Sequence, residues 1–417
     1  MRNTNHFLCL LMMFSGLAIG FTPSTRAGDW PQILGPGRDG HAVDEQPLTP
    51  WDPSGPKELW AYELGQGFAG PAVARQQVVI FHRIGTSERV EAIDRKTGKR
   101  LWKTDFDASY QGTYNPDHGP RCVPLIHDQH VYLFGAAGEL HCVRLSDGTP
   151  RWSRSAYEEF SGQDGYFGAG STPIVADQKL LVNIGGSDAG LVAFDLETGK
   201  TVWKATQEAA SYSSPISATI AGQPHVFFVT RMSALSVNPR NGKVQFRFPF
   251  GQSGPTVNAA TPLVFENHLF VSAAYGVGAN LSRIENQKAT TVWSNDRVMS
   301  SQYSTCVYRD GHLYGTHGRE DFNNGELRCV EAMTGNQKWR VAGFGTAHTI
   351  LVGKHLLLLN SEGQLRLANT SPSQYIELAS AQISSSITRA LPAFSNGVLF
   401  LRDNNGATGR LRSISIR

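Results

Sequence analysis

Val90-Glu91-Ala92-Ile93-Asp94-Arg95-Lys96-Thr97-Gly98-Lys99-Arg100-Leu101-Trp102 carries the architecture of this chain in one stretch. It reads as an apolar strand, an Asp, a tight turn closed by Gly, and a second strand opening on an aromatic residue. Leu191-Val192-Ala193-Phe194-Asp195-Leu196-Glu197-Thr198-Gly199-Lys200-Thr201-Val202-Trp203 repeats it. The phrase occurs seven times. The aromatic that closes each repeat falls at Trp60, Trp102, Trp152, Trp203, Phe246, Trp293, Trp339 and, weakly, Tyr375. Six of the eight Trp residues occupy this one position, which random placement does not produce. A fixed phrase at a period of roughly 40–50 residues means one supersecondary unit copied around a ring or along an array.

Within an interval the pattern reads as four short strands. In one repeat these are Ser171 to Val175, Lys179 to Ile184, Gly190 to Asp195 and Thr201 to Lys204. Each run is β-branched or alternating and is bounded by Gly, Asp, Asn or Ser. Ala176-Asp177-Gln178 turns the first hairpin. Thr198-Gly199 turns the last, with Gly supplying positive φ and Asp195 able to accept turn amides. The closing indole points between neighbouring sheets, where its N–H can reach a backbone carbonyl. Asp94, Gly98, Asp195 and Gly199, together with the closing aromatics, are therefore docking residues. Four antiparallel strands per repeat, with no helical segments, define a propeller blade.

The ends supply the blade count. The final piece has three strands, Ala390 to Phe394, Val398 to Arg402 and Arg410 to Ile416, and no closing strand. The first piece, Pro56 to Tyr62, is a closing strand with no blade before it. Joined, they make an eighth blade and remove the free sheet edges of an open array. The fold class is all-β: an eight-bladed β-propeller over residues 57–417. Three repeats are degenerate. Phe246 replaces Trp, the turn Asn286 to Thr290 lacks Gly, and Thr370 to Tyr375 lacks both. These blades are expected to be the less regular ones.

Residues 1–27 read as an export signal. Arg2 precedes an apolar run from Phe7 to Phe21, and Thr25-Arg26-Ala27 is a small-x-small site that places cleavage after Ala27. The run is short for a span, and no later segment approaches about 20 apolar residues. Cys9 lies too early for a lipoprotein cleavage site. A periplasmic or secreted protein follows. Residues 28–56, rich in Pro and Gly, read as an irregular strap packed on the domain surface and anchored by Trp30 and Trp51. Cleavage removes Arg2 and Arg26 and no acid, so the formal charge falls from +3 to +1. A near-neutral chain has no electrostatic reason to bind nucleic acid or an anionic membrane.

The phrase around Asp94, Gly98 and Trp102 resembles the tryptophan-docking repeat of the pyrroloquinoline quinone (PQQ)-like propellers. Those include the quinoprotein alcohol dehydrogenases and the non-catalytic propeller of the barrel-assembly machinery. Asp29-Trp30-Pro31-Gln32 with Gly35-Pro36-Gly37-Arg38-Asp39-Gly40 is similar to the opening of exported planctomycete-type PQQ-like repeat proteins. The resemblance implies the fold. For function it implies two alternatives, because docking residues touch no ligand, and a polysaccharide-degrading or sulfatase-linked accessory role stands as a third by analogy alone. One is a non-catalytic module that binds a protein segment or a small ligand, as a monomer or within a complex. The other is a PQQ dehydrogenase with quinone and calcium in the central funnel, commonly beside an adjacent pair of cysteines. This chain has no Cys-Cys dipeptide, and no calcium set of Asp, Glu and Asn matches. The expectation is no catalytic residues, no metal and no cofactor.

Cys122, Cys142, Cys306 and Cys329 remain after cleavage. An even count in an exported chain suggests disulfides. The members of each pair fall on the first and third strands of a blade, about 9.6 Å apart. A disulfide needs Cα atoms within about 7 Å, so buried free thiols are expected. Segments entering the blades are rich in Tyr, Ser, Asn, His and Gly: 117–121, 166–170, 211–214, 258–261, 301–304 and 346–348. Such segments ring one mouth of a propeller channel. Asp117, His118, Arg121, Tyr212, Asn258, Tyr303 and His348 are the candidate ligand-binding residues. The competing reading is that inner strands near a water-filled channel are small and polar in any case. The long loops 105–121 and 153–170 favour a functional mouth. His312, His317, Arg319, Glu320 and Asp321 cluster near a segment, 318–325, that reads as a solvated hairpin tip rather than a metal site. No nucleophile elbow, Walker loop or His-Glu-x-x-His pattern occurs.

Overall fold

The computed structural model describes residues 28–163 and 165–416. The expected signal segment lies outside them. Eight sheets form eight blades of four antiparallel strands, one of them extended by a fifth, parallel strand. The first runs through Ala72–Ala74, Gln77–Ile84, Ser87–Asp94 and Arg100–Asp107. The eighth is built from Ala393–Ser395, Val398–Asn404 and Gly409–Ser415, with Glu58–Leu64 as its outer strand. The two ends of the chain thus share one sheet.

Middle strands are apolar on both faces because each blade lies between two others. Gln77–Ile84 is buried from Val78 to Arg83, whereas the outer strand Arg100–Asp107 alternates towards solvent. The core therefore sits between blades. Phe81, Val90 and Trp102 of the first blade pack against Val131, Leu133 and Val143 of the second.

The docking geometry explains the repeated phrase. Trp60, Trp102, Trp152, Trp203, Trp293 and Trp339 each donate their indole N–H to a carbonyl of the next blade, at 2.8–3.0 Å. Each of the first five rings lies over the turn Gly of that blade. A Cβ at Gly98 would sit 2.8 Å from Trp60, and one at Gly199 2.7 Å from Trp152. Both glycines have positive φ, +69° and +66°. Asp94 and Asp195 accept the Thr97 and Thr198 hydroxyls at 2.7 Å and their amides at 2.8 Å, which pulls both carboxyls below the usual range.

A β-bulge recurs in all eight blades where the third and fourth strands pair, at the residue before the closing position. Leu59, Leu101, Val202 and Val292 are the bulged residues of four blades, and all are exposed. In the seventh blade the register puts Ala379, not Tyr375, at the closing position. Tyr375 precedes that strand and packs against Trp339, ring centroids 5.8 Å apart.

The structure corrects several expectations. The degenerate blades are complete, four-stranded sheets. Asn286 and Gln287 both have positive φ, so a two-residue turn replaces the Gly turn without cost to the ladder. One short helix, Ala156–Phe160, interrupts the all-strand pattern. Buried Tyr157 anchors it against Gly138 and Gly162, where any side chain would collide with the ring. Cys122 and Cys306 precede the first strands rather than lying on them. All four cysteines are buried and free, and burial raises Cys142 and Cys306 to about 12.

The largest correction concerns the strap. Residues 28–42 do not stay on the surface, whereas most of 43–56 is exposed. Trp30 is 2% exposed and Arg38 only 1%. Trp30 exchanges backbone bonds with Val73, both 2.8 Å. Arg38 donates to the carbonyls of Thr172, Pro173 and Pro215, reaching the third and fourth blades. His41–Ala42 pairs in parallel with the inner strand Ala347–Val352 of the seventh blade. Glu45 accepts the Asn396 and Gly397 amides of the eighth. Trp51, in the exposed half of the strap, is half-buried. The strap crosses the channel and closes it.

Candidate functional site

Because the strap closes the channel, the opposite mouth becomes a blind funnel. Its cavity is about 540 Å³, with Ile33 of the strap and Leu391 in its lining. Blade-entry loops build the wall. These loops leave one paired strand and enter another, so their side chains are fixed at both ends.

Four of the seven candidate residues line the cavity: Arg121, Tyr212, Tyr303 and His348. The other three stand behind the wall. Asp117 is buried and accepts the Gly67 amide at 2.7 Å, the Gly119 amide at 2.9 Å and Arg121 at 3.3 Å. His118 Nδ1 accepts the Gly112 amide at 2.9 Å. Asn258 donates to the Thr230 carbonyl at 2.8 Å, and its own carbonyl receives the Tyr212 and Ser213 amides. Entry-loop composition therefore does not separate residues that line the cavity from those that buttress it.

Tyr303 donates to Glu320 at 2.7 Å. Arg389 grips the same carboxylate with two parallel bonds, 3.0 and 2.9 Å. Burial pushes Glu320 up, but Arg389 and Tyr303 outweigh it and hold the group below its usual range. Burial, then Glu320, pushes the Tyr303 phenol far up, so it stays protonated. His348 donates Nε2–H to the Arg389 carbonyl at 2.7 Å, and burial lowers its pKa, keeping it neutral. Arg319 binds Asp321 at 3.0 Å and lies between the rings of Tyr275 and Phe322, 4.2 and 4.3 Å from their centroids. Phe68 lies between Arg121 and Arg389, 5.7 and 5.6 Å away.

Glu320, Asp321, Phe68 and Arg389 were not singled out as funnel residues by the sequence. Segment 318–325 reads as a solvated tip, and residues 321–324 are exposed, yet Glu320 and Asp321 also line the cavity. Its one exposed ring, Phe322, was the available signal.

The quinone-and-calcium alternative requires carboxylates free to ligate. Among the described residues no group of three or more His, Cys, Asp or Glu converges to hold a metal. Both oxygens of Glu320 are taken by Arg389, and Asp321 is paired with Arg319 and with Gln302 at 3.1 Å. A divalent cation here would face two guanidinium groups, so these residues do not fit calcium.

Eight blades around a central funnel, five of their interfaces docked indole on glycine, define a PQQ-like propeller. Residues 86–341, more than half the chain, match the family described as outer membrane protein assembly factor BamB, and the chain belongs to that family. BamB from Moraxella catarrhalis shares the fold at 15% identity, over 86% of this chain and 97% of that one, TM-score 0.63. So does the quinohemoprotein alcohol dehydrogenase from Comamonas testosteroni, at 13% identity, over 94% and 81%, TM-score 0.71. A 161-residue stretch is 25% identical to the quinoprotein alcohol dehydrogenase PedH of Pseudomonas putida. That stretch covers 35% of this chain and only 25% of PedH. No helix among the described residues is long and apolar enough to cross a membrane.

Proposed function

We propose that this chain is an exported, non-catalytic binding module that recognises a partner segment or small ligand in the blind funnel. The observation that carries this reading is the mutual neutralisation of the funnel's ionisable groups. Arg389 holds Glu320, Arg319 holds Asp321, and Asp117 holds Arg121. A catalytic acid, base or nucleophile needs a group poised to change state. An ion-paired wall of this kind instead offers fixed donors and acceptors for recognition. Membership of an assembly-factor family supports the same reading. Export rests on the Phe7 to Phe21 run and Thr25-Arg26-Ala27.

The alternative, a quinoprotein dehydrogenase, is supported by the match to PedH. It is tested by incubating the purified protein with PQQ and Ca²⁺ and assaying dye-linked alcohol oxidation. The expected outcome is no saturable quinone binding and no turnover. Turnover that saturates with PQQ would overturn the binding-module reading.

A further inference from the structure

We infer that the funnel takes the end of a neutral, polyhydroxylated ring compound, an oligosaccharide entering end-first. This rests on the binding-module reading and names the class of its ligand.

Charge comes first. The charged residues lining the cavity are two arginines and two acids, and the partners behind them, Asp117 and Arg319, also cancel. A polyanion such as a tricarboxylate quinone would enter with its charge uncompensated and its water removed. A neutral ligand pays no such penalty.

The second observation is an orphaned acceptor. His348 is 4% exposed and lines the cavity. Its Nε2 faces the Arg389 carbonyl, which can only accept, so Nε2 carries the proton. Nδ1 is then a bare acceptor with no partner among the described residues. A buried acceptor left unpaired is costly; Nδ1 is closed to solvent as the ring stands, so a ligand hydroxyl satisfies it only as the His348 ring tilts towards the filled cavity.

Third, the apolar part of the wall is aromatic and continues onto the rim. Phe68, Phe167 and Tyr303 line the cavity. Above them stand Tyr114, edge-on to Tyr166 at 5.2 Å, and Phe322. Tyr114 and Phe322 are 68% and 65% exposed, the only exposed Phe, Tyr or Trp among the described residues, and both lie on this rim. Sugar rings combine an apolar C–H face, which stacks on aromatic rings, with an edge of hydroxyls. Planar Arg389–Glu320 and Gln302–Asp321 pairs match that edge. A wholly apolar ligand would leave the same pairs desolvated and unmet. A cavity of about 540 Å³ accepts a small end group, while the rim rings can stack on units still outside.

The test is calorimetric titration of the full mature chain with neutral di- and hexasaccharides (maltose, cellobiose and diacetylchitobiose series), a uronate trisaccharide, PQQ with Ca²⁺, and a tetrapeptide pool. At least one neutral series is expected to bind, the hexasaccharide more tightly than the disaccharide, and the uronate at least about tenfold more weakly than its neutral counterpart. Phe322→Ser and Tyr114→Ser change exposed residues and leave the fold intact. They should weaken the hexasaccharide about tenfold and leave the disaccharide unchanged. His348→Phe should weaken both about tenfold. No neutral sugar binding, or sugar binding indifferent to all three substitutions, overturns the inference. Peptide binding abolished by His348→Phe, without sugar binding, overturns it and leaves the binding-module reading standing. Quinone turnover overturns both.

Discussion

At the scale of single residues, the repeated phrase does its work through one contact: an indole lying on a glycine. Gly199 shows why the residue must be Gly. Its φ of +66° is strained for any other residue, and its missing Cβ is where the Trp152 ring lies, 2.7 Å from the position a methyl would take. Gly199→Ala is expected to cost about 1–3 kcal/mol, read as a shift of the urea midpoint with unchanged slope. Gly222 has the same positive φ but open space around its Cβ position, so Gly222→Ala should cost less. The docking residues were legible in the sequence because they recur at fixed spacing. His348, Tyr303 and Tyr212 were legible as mouth residues because each entry loop is short and polar. Phe68, Glu320 and Arg389 were not, because no periodicity links them. They meet only when the ring closes, 69 residues separating Glu320 from Arg389.

At the scale of elements, two features escaped the one-dimensional reading. The bulge is one. It inserts a residue before every closing position, so the aromatic faces inward while its neighbour is turned out. With no Gly in its turn, the seventh blade offered only a weak match at Tyr375, where the register puts Ala379. The strap is the other. Its Pro and Gly content looked like surface covering, but Arg38 pins it inside. Four oxygens depend on that side chain: the Thr172, Pro173 and Pro215 carbonyls and Gln32 Oε1 at 2.8 Å. Burial lowers the guanidinium to about 9, with no carboxylate beside it. Arg38→Met leaves those buried acceptors unpaired and should destabilise the protein by at least about 3 kcal/mol. The same change should speed hydrogen exchange of the Trp30 and Val73 amides, which hold each other across the strap–blade contact. Unchanged exchange would mean that Arg38 does not hold the strap.

For the whole molecule, the eight blades and the sharing of one sheet by both ends were legible from the orphan strand at one end and the missing strand at the other. The blind end was not, since nothing in a periodic pattern reports what crosses its axis. Closure can be tested by removing residues 409–417. The Glu58–Leu64 strand then loses its partner, and two blade edges open to other chains. The truncated chain should lose its single cooperative transition and associate in a sizing column. A sharp, monomeric melt would show that the ring does not need its seam.

That seam also sets a clock. Glu58 meets Ile414, so the eighth sheet cannot form until the chain from 58 to 414 is present. Pairing strands so distant in sequence is slow, because the intervening chain must first be brought together. During synthesis at about 5–20 residues per second, the nascent chain has no finished ring to assemble into. The ring becomes a rigid wheel only after the strand Gly409–Ser415 has been made.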